Sequence, residues 1–561
     1  MARTNIGPLE VNNVTITDHQ EQANVFNKQY VSVFTRINGP PPPIHNTNDS
    51  CLSDVTITPW KVKKVILGLK AGSAPGPDGI SPLFLKKTVD IISIPLAYIF
   101  NQSLATGEVP QGWRDSNISP IFKAGSKKSP SNYRPVSLTS IISRVFEKII
   151  FQQLQEYMEA TEALPPNQHG FRQGKSCVTN LLEFFDKVTK LLDQKQPVDL
   201  IYLDFSKPFD KVSHQFLLHK LESIGVSGKL LTWISNWLRD RRQRVGINGK
   251  YSDWETVLSG VPQGSVLGVI LFLIYIMDIS NGSTLIAPHS IISTFADDTK
   301  LAQSIHSQQG VDQLQSLLDN LASWSEKWAM PFNASKCTVL HLGYNNNKNS
   351  YSINDTSLSP TLCQKDLGVQ IHQSLKPASH INYAVNKAQS VMRLIGSTFS
   401  YKSKDILIKL YKSHIRCHLE YGSTVWRPWL LKDIEKLERV QRRFIKMIPG
   451  VQGSTYEEKL KFLGLPSILA RHERSDMIQA YKLINNIDRI DPPLDLSTQS
   501  HHYLTRGATS GNLKINYKRL DIRKYFFTER IRTSWNKLSA ETRSSQSLAT
   551  FKRLYDGETG N

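Results

Sequence analysis

The chain has 561 residues, of which 40% are hydrophobic and 21% charged, a globular composition that excludes wholesale disorder or a fibrous structure. Its longest near-apolar run, Gly268–Met277, is far shorter than the roughly 20 apolar residues of a membrane-spanning helix, so we expect no membrane partner. The five cysteines are far apart and lack metal-binding spacing, which argues against a disulfide framework and a zinc finger.

Positive charge is concentrated in the last third of the chain. Lys and Arg number 68 and Asp and Glu 48, which gives a net charge of +20. From Lys376 to the C-terminus there are 33 basic and 17 acidic residues, so this part carries most of the excess. The imbalance favours a polyanionic partner bound through the C-terminal region. A lysine-rich solvated surface would have the same composition, and charge alone does not separate the two interpretations.

Hydrophobic periodicity predicts an α+β protein with a strand-rich centre and helical flanks. Helices are predicted over Asp18–Phe34, Thr58–Leu69, Leu83–Leu104, Leu138–Tyr157 and Leu217–Leu238, and mainly helical structure beyond Pro377. Strands are predicted over Ile118–Lys123, Val198–Phe205, Lys336–Gly343 and Leu367–Ile371, with a strand–turn–strand over Ile291–Ile305. The proline run within Gly39–Pro43 predicts a linker, and therefore a boundary near residue 50.

Two of the predicted strands end in carboxylates. Asp204 ends an apolar strand, and Asp297 and Asp298 form the tip of the FADD turn. Carboxylates beside a core are costly unless they are paired, hydrogen-bonded or bound to cations. If they converge from neighbouring strands, the three groups would suit two Mg²⁺ ions, which can activate a hydroxyl nucleophile and stabilise a leaving pyrophosphate. Because Asp also favours ordinary turns, this pattern alone does not establish catalysis.

Three further segments carry groups suited to phosphates or nucleic acids. The Gly- and Pro-containing loop SGVPQGS, Ser259–Ser265, would let the backbone approach a ligand closely. Lys123 and Arg134, each flanked by turn residues, are candidate cations for phosphates. Both features also occur in loops without function, so their order along the chain is the informative part.

The third segment is rich in arginine and follows two tryptophans, Trp233 and Trp237. Basic groups interleaved with aromatic rings suit nucleic-acid backbones and stacked bases, although an arginine run is more often a solvated face. The candidate nucleic-acid-binding residues are Arg239, Arg241, Arg242 and Arg244.

The order of these motifs resembles that of the reverse transcriptases of non-LTR retrotransposons, especially the jockey-like and related animal elements. AGSAPGPDGISP resembles the leading loop of that family, ISPIFKAGSKKSPSNYRPVSL its fingers, and NQHGFRQGKSCVTNLL its template-side segment. YLDFSKPFDKV, SGVPQGSVLG and FADD resemble the three palm motifs, and WAMPFNASKC and DLGVQI the next two. The resemblance implies a right-hand polymerase with fingers, a palm whose antiparallel sheet carries the acidic turn, and a mainly helical thumb and C-terminal region.

The resemblance also implies roles for the residues that match the family's motifs. Asp204, Asp297 and Asp298, with the backbone carbonyl of Phe205, would bind two Mg²⁺ ions, for which Mn²⁺ could substitute. Lys336 would protonate the leaving pyrophosphate.

Other matching positions concern the nucleotide and the primer. Phe209 would be the aromatic steric gate that favours dNTPs by filling the space of a ribonucleotide 2′-OH. Gln263 would contact the incoming nucleotide, and Lys123 and Arg134 would bind its triphosphate. The primer grip would consist of Leu367, Gly368 and Val369.

The activity implied is RNA-directed DNA polymerisation, with an RNA template, a DNA primer and dNTPs as partners. The expected domains are a connector-like segment over 1–50, fingers and palm over 51–375 with core motifs at about 104–374, and a basic thumb and RNA-binding region over 376–561. Because no targeting signal is found, we expect the protein in the nucleus and cytoplasm.

Two departures from the family pattern leave an alternative open. Pro208 stands where the family usually has alanine, and proline has no N–H to donate to a triphosphate. The first 50 residues resemble the family's connector and not its endonuclease, so target nicking would require an endonuclease on another chain. The alternative function is therefore that of a catalytically decayed or recruited fragment that binds RNA.

Overall fold

The structure, a computed structural model, describes residues 6–35, 37, 39–44, 50–280, 290–496 and 512–560. The chain divides into two compact units, each assembled from separate stretches of sequence. The first unit comprises Met1–Pro165, Phe205–Thr284 and Asn320–Asn333, and the second comprises Pro166–Asp204, Leu285–Asp319 and Ala334–Asn561. Neither unit coincides with the expected ranges 51–375 and 376–561, so the thumb assignment for the latter range stays a prediction.

The first unit contains a mixed sheet surrounded by helices. Its strands are Asp115–Phe122, Tyr133–Thr139, Arg242–Ile247, Lys250–Tyr251 and Glu255–Thr256, with a separate hairpin of Leu9–Val11 and Val14–Ile16. The strand Asp115–Phe122 pairs antiparallel with Tyr133–Thr139 and parallel with Arg242–Ile247. The helices are His19–Val31, Pro59–Leu67, Pro82–Lys87, Val89–Thr106, Gln111–Arg114, Ile141–Ala160, Pro208–Lys211, His214–Ser223, Gly228–Leu238 and Leu267–Ile276, with the 3₁₀ turn Pro130–Asn132.

The second unit is built on a five-stranded sheet, named here the central sheet. In spatial order its strands are Ser359–Pro360, Thr338–Leu342, Val198–Leu203, Asp298–Ser304 and Ile291–Phe295. The middle strand is buried at every residue, as its near-continuous apolar sequence predicts. Two small hairpins accompany the sheet, Ser352–Ile353 with Thr356–Ser357 and Cys363–Asp366 with Val369–His372.

Helices make up the rest of the second unit and share one hydrophobic core with the central sheet. They are Cys177–Asp193, Ala378–Thr398, Lys404–Leu410, the π-helix Tyr411–Ile415, Arg416–Glu420, Ser423–Trp426, Leu431–Ile445, Tyr456–Leu463, Ile468–Ile484, Asp521–Lys524, Phe527–Asn536, Ala540–Arg543 and Leu548–Thr559, with the 3₁₀ turn Ala334–Lys336. The helix Gln308–Lys327 begins in the second unit and ends in the first.

Most of the predicted elements are present with shifted ends, but two predicted helices are each divided in two. The stretch Leu83–Leu104 is not one helix, because the chain breaks at Thr88 between Pro82–Lys87 and Val89–Thr106. The stretch Leu217–Leu238 is not one helix, because the chain breaks into His214–Ser223 and Gly228–Leu238. Gly225 lies between them at φ +90°, a conformation that glycine adopts without strain and that ends the first helix. The predicted helix from Leu138 begins later, at Ile141, because Leu138 still belongs to a strand.

No helix among the described residues is both long and apolar enough to cross a lipid bilayer.

Candidate active site

The predicted carboxylates of the second unit meet at one end of the central sheet. Thr299 pairs with Leu203 in an antiparallel register, so the next position along places Asp298 beside Asp204. On the other side of the middle strand Thr338 pairs with Tyr202, and the 3₁₀ turn that ends at Lys336 brings the Lys336 ammonium next to the Asp204 carboxylate. Lys336, Asp204 and Asp298 therefore form a row at the ends of three neighbouring strands.

The row has a cation, Lys336, at one end and carboxylates, Asp204 and Asp298, along the rest. The Lys336 Nζ lies 3.6 Å from the Asp204 Oδ2, and both side chains keep contact with solvent, at 58% and 40% exposure. An ion pair this exposed adds little to the stability of the fold. Its importance is that it places an ammonium group beside the Asp204 carboxylate. The pKa of Asp298 is raised to about 6 by burial and by the negative charges of Asp297, Asp366 and Asp204, and Lys300 opposes that rise.

A cavity of about 230 Å³ opens beside this row within the second unit. Its lining includes Asp204, Asp298, Lys336 and Lys365, whereas Asp297 is not among the lining residues. As the side chains stand, no three His, Cys, Asp or Glu groups among the described residues are close enough together to hold a metal ion. The donor chemistry nonetheless fits a divalent cation, because carboxylates that raise one another's pKa are stabilised when a cation lies between them.

The predicted primer-grip residues lie at the tip of a hairpin, named here the LGV hairpin, formed by Cys363–Asp366 and Val369–His372. Asp366 pairs with Val369, so Leu367 and Gly368 form a two-residue turn, with φ of +42° and +90°. Positive φ at both positions is the pattern of a type I′ turn, which suits a tight hairpin. Only Leu367 and Gly368 are at the tip, because Val369 begins the second strand, where its side chain is fully buried.

The LGV hairpin is tied to the strand that follows the acidic turn by a pair that the sequence analysis missed. The Lys300 Nζ lies 2.7 Å from the Asp366 Oδ2, and each side chain is 5% exposed. The Tyr202 hydroxyl donates to the same carboxylate oxygen at 3.3 Å. Lys300 lies two residues after Asp298, on the same face of its strand, and this period of two is the signal that could have identified it.

In the first unit, the predicted triphosphate cations Lys123 and Arg134 lie at the same end of a hairpin. Arg134 pairs with Ile121, and the Lys123 N–H donates to the carbonyl of Asn132 at 2.9 Å. Both side chains are exposed. Within the described part of the chain, neither pairs with a carboxylate, so both remain available to an anionic ligand.

The first unit also brings together Phe209 and the loop Ser259–Ser265. The Val261 N–H donates to the Phe209 carbonyl at 2.8 Å, and the Gln263 carbonyl accepts from the Ser137 N–H at 2.7 Å. The Phe209 ring stacks on Phe272 with centroids 4.4 Å apart, which fixes its orientation. The loop thus joins Phe209 to the strand Tyr133–Thr139 that carries Arg134.

Two further predicted features of this unit lie beside Phe209 in sequence. Pro208 is the first residue of the short helix Pro208–Lys211, where the missing N–H costs the helix nothing, and the preceding Lys207 is left-handed at φ +52°. The Phe205 ring is buried and stacks on Phe332 with centroids 4.4 Å apart.

The arginine segment departs from its predicted role. Trp233 and Trp237 are fully buried and Arg241 is 1% exposed, so neither ring can stack on a base and Arg241 cannot meet a phosphate. Arg242 donates to Asp115 at 3.0 and 2.8 Å, which occupies its guanidinium.

The other two arginines of the segment differ from each other. Arg244 lies over the rings of Tyr251 and Trp254 and donates to Asn117. Arg239 remains exposed. The two tryptophans are four residues apart on one helix, and this spacing indicates a core-facing pair.

Comparison with known proteins identifies the family. Residues 125–466 match the family described as reverse transcriptase (RNA-dependent DNA polymerase). This match covers more than half of the chain, which therefore belongs to the reverse transcriptase family, and the predicted resemblance is confirmed. Membership implies a right-hand polymerase fold and the use of divalent metal ions.

Two of the relatives are polymerases of Drosophila mobile elements. The chain is 26% identical over 477 residues to the probable RNA-directed DNA polymerase from transposon X-element of Drosophila melanogaster, covering 82% of this chain and 52% of that protein. It is 28% identical over 403 residues to the RNA-directed DNA polymerase from mobile element jockey of Drosophila funebris, covering 70% and 44%. The chain thus spans about half the length of these relatives.

Proposed function

We propose that this chain is an RNA-directed DNA polymerase of a non-LTR retrotransposon, which adds dNTPs to the 3′-OH of a DNA primer on an RNA template. The observation that carries the proposal is the row of Lys336, Asp204 and Asp298 at one end of the central sheet, in a chain of the reverse transcriptase family. Nucleotidyl transfer requires both negative charge to bind cations and a proton donor for the leaving pyrophosphate, and this row supplies both.

Asp204, Asp297 and Asp298, with the Phe205 carbonyl, are the groups that would hold two Mg²⁺ ions, and Mn²⁺ could substitute. When bound, such ions lower the pKa of the primer hydroxyl and neutralise charge on the phosphates. Lys336 gives a proton to the departing pyrophosphate, a role that its position beside Asp204 supports. Lys300 stays with Asp366 and orients the strand behind the carboxylates.

We assign the first unit to nucleotide binding and to the fingers. The exposed cations Lys123 and Arg134 bind the triphosphate, and Gln263 contacts the nucleotide from the loop beside them. Phe209, held against Phe272, excludes a ribose 2′-OH by occupying its space. Because the ring is fixed by stacking, its steric effect does not depend on a side-chain rearrangement.

We assign the central sheet to the palm, Leu367 and Gly368 to the primer grip, and the helices beyond residue 376 to the thumb and RNA binding. A basic groove of about 740 Å³ in the second unit supports RNA binding there, and two of its cations, Lys376 and Arg519, belong to the range from residue 376 onward. Four cations line it, and none of its described lining residues is Asp or Glu. They are Lys195, Lys348, Lys376 and Arg519.

The test of the proposed function is primer extension on an RNA template with Mg²⁺, comparing wild type with Asp204→Asn and Asp297→Asn. Asp312→Asn is the matched control for the loss of one negative charge, because Asp312 is an exposed residue of the helix Gln308–Lys327 and has no proposed role. Extension by wild type and the control, but not by Asp204→Asn or Asp297→Asn, is expected. RNA binding without any extension by wild type would favour the decayed or recruited RNA-binding protein.

A further inference from the structure

The turn that presents Asp297 and Asp298 is strained. Phe295 pairs with Asp298, so Ala296 and Asp297 form a two-residue turn between the strands Ile291–Phe295 and Asp298–Ser304. Ala296 has φ of +53°, a left-handed conformation that a residue with a Cβ rarely adopts. Such a conformation persists only where surrounding groups hold it, and here it directly precedes two proposed metal ligands.

One side chain holds both polar backbone groups of Ala296. The Gln168 Oε1 accepts from the Ala296 N–H at 2.9 Å, and the Gln168 Nε2 donates to the Ala296 carbonyl at 3.4 Å. Gln168 is 3% exposed and Ala296 4%, so water does not compete for these bonds. The amide of Gln168 therefore serves the turn residue as a neighbouring strand would.

The backbone around Gln168 runs along the same hairpin. Gln168 forms a parallel bridge to Thr294, whose N–H donates to the Asn167 carbonyl at 3.0 Å and whose carbonyl accepts from the His169 N–H at 2.9 Å. Gly170 also donates its N–H to the Gln168 Oε1 at 2.7 Å. A Cβ on Gly170 would lie 2.4 Å from the Ala296 nitrogen, so this close approach requires glycine.

The residues behind Gln168 are fixed in turn. The buried His169 ring contacts the Glu183 carboxylate at 2.8 Å through Nε2 and the Thr179 hydroxyl at 2.9 Å through Nδ1. Thr179 belongs to the capping box that begins the helix Cys177–Asp193. The segment 167–170 is thus fixed to a helix of the core, and the hydrogen bonds of Gln168 fix the acidic turn to this segment.

We propose that Gln168 is a positioning residue for catalysis. It holds Ala296 in its left-handed conformation and so fixes where Asp297 and Asp298 present their carboxylates. The inference rests on the proposed function, in which those carboxylates bind the catalytic cations. The segment Asn167–Gly170 would then position the acidic turn, whereas the sequence resemblance predicted for it only a place on the template side.

The test uses the full chain and four variants. Gln168→Met keeps the length of the side chain and removes both hydrogen-bonding groups. Ala296→Gly removes the strain, because glycine adopts positive φ freely. The double variant combines the two. Gln303→Met is the matched control, since Gln303 is also a buried glutamine, 2% exposed, near the opposite end of the strand Asp298–Ser304 from the turn, and its amide bonds to Gln313.

Primer extension is measured after active-site titration, so that kcat refers to functional enzyme only. Gln168→Met should lower kcat by about tenfold or more with an unchanged KM for primer–template, because small shifts of reacting groups are costly. Ala296→Gly in the Gln168→Met background should recover several-fold of that loss, and Gln303→Met should keep the wild-type kcat. A wild-type kcat in Gln168→Met, or a double variant no better than Gln168→Met, overturns the proposal.

A binding measurement separates this proposal from the proposed function. Mn²⁺ titration by electron paramagnetic resonance should show weaker binding in Gln168→Met than in wild type or Gln303→Met, with Asp204→Asn as the reference for a lost ligand. If wild type extends no primer but Gln168→Met still weakens Mn²⁺ binding, the polymerase assignment fails and the positioning role stands. Equal Mn²⁺ binding in wild type and Gln168→Met overturns the positioning role.

Discussion

The buried pair of Lys300 and Asp366 allows a sharp prediction about what anchors the LGV hairpin. Asp366→Asn removes the negative charge and leaves the Lys300 ammonium at a site where the side chain is 5% exposed. Breaking such a pair from one side costs about 3–5 kcal/mol of stability. Burial already lowers the pKa of Lys300, and Asp366 opposes that shift.

The loss of stability has an upper limit, because Lys300 without its partner can become neutral. A lysine with no partner can deprotonate, and bringing an ordinary lysine to its neutral form at pH 7 costs about 5 kcal/mol. We therefore expect Asp366→Asn to lower the free energy of unfolding by about 3–5 kcal/mol. The Phe184 ring, 4.7 Å from the Lys300 Nζ, favours the lower end of that range because it also attracts the cation.

Urea denaturation of wild type, Asp366→Asn, Lys300→Met and the double variant measures this coupling. The double variant leaves no unpaired charge, so its loss should be smaller than the sum of the two single losses by about 2 kcal/mol or more. Additive losses would refute the argument that these two charges depend on each other. Asp366→Asn should also raise the KM for primer, because Asp366 directly precedes the Leu367–Gly368 turn.

Three further predictions address the first unit and the dependence of stability on pH. Phe209→Ala should raise the use of rNTPs relative to dNTPs, because it opens the space beside the sugar C2′; an unchanged ratio in single-nucleotide incorporation would contradict the steric gate. Pro208→Ala should raise kcat/KM for dNTP several-fold by restoring an N–H for the triphosphate, and equal efficiency would show that Pro208 is tolerated. Burial lowers the pKa of both His380 and His472 to about 4, below the unfolded value near 6.5. The free energy of unfolding is therefore unaffected by these histidines above pH 6.5, and it decreases as the pH falls from 6.5 towards 4. The expected loss is about 2 kcal/mol for each imidazole at pH 5, and an unfolding free energy that stays constant between pH 7 and pH 5 would contradict it.

Local pattern predicted much of the central sheet and of its acidic end. The apolar run before Asp204 indicates one strand and the pattern around Asp297 indicates a hairpin of two, and the structure has all three strands. The period of two also places Asp204 and Tyr202 on one face of the middle strand. What such patterns cannot specify is which strands become neighbours, and the row formed with Lys336 depends on that pairing.

Long-range partners were beyond the reach of sequence pattern. Gln168 and Ala296 are 128 residues apart, and nothing in the periodicity of either segment indicates that one side chain holds the other's backbone. The discontinuous units were missed for the same reason, because composition shifts detect only linear boundaries. The arginine segment failed differently: its charge was visible, but the burial of Trp237 and Arg241 depends on the helix and sheet around them.

The most direct test of the central claim is single-turnover primer extension by Asp297→Asn beside wild type, on an RNA template with Mg²⁺ and dNTPs. One missing carboxylate misplaces a cation at the reacting centre, so the rate should fall by several orders of magnitude while binding of the primer–template stays close to wild type. Extension by Asp297→Asn at the wild-type rate would contradict the assignment of the acidic turn as the catalytic centre.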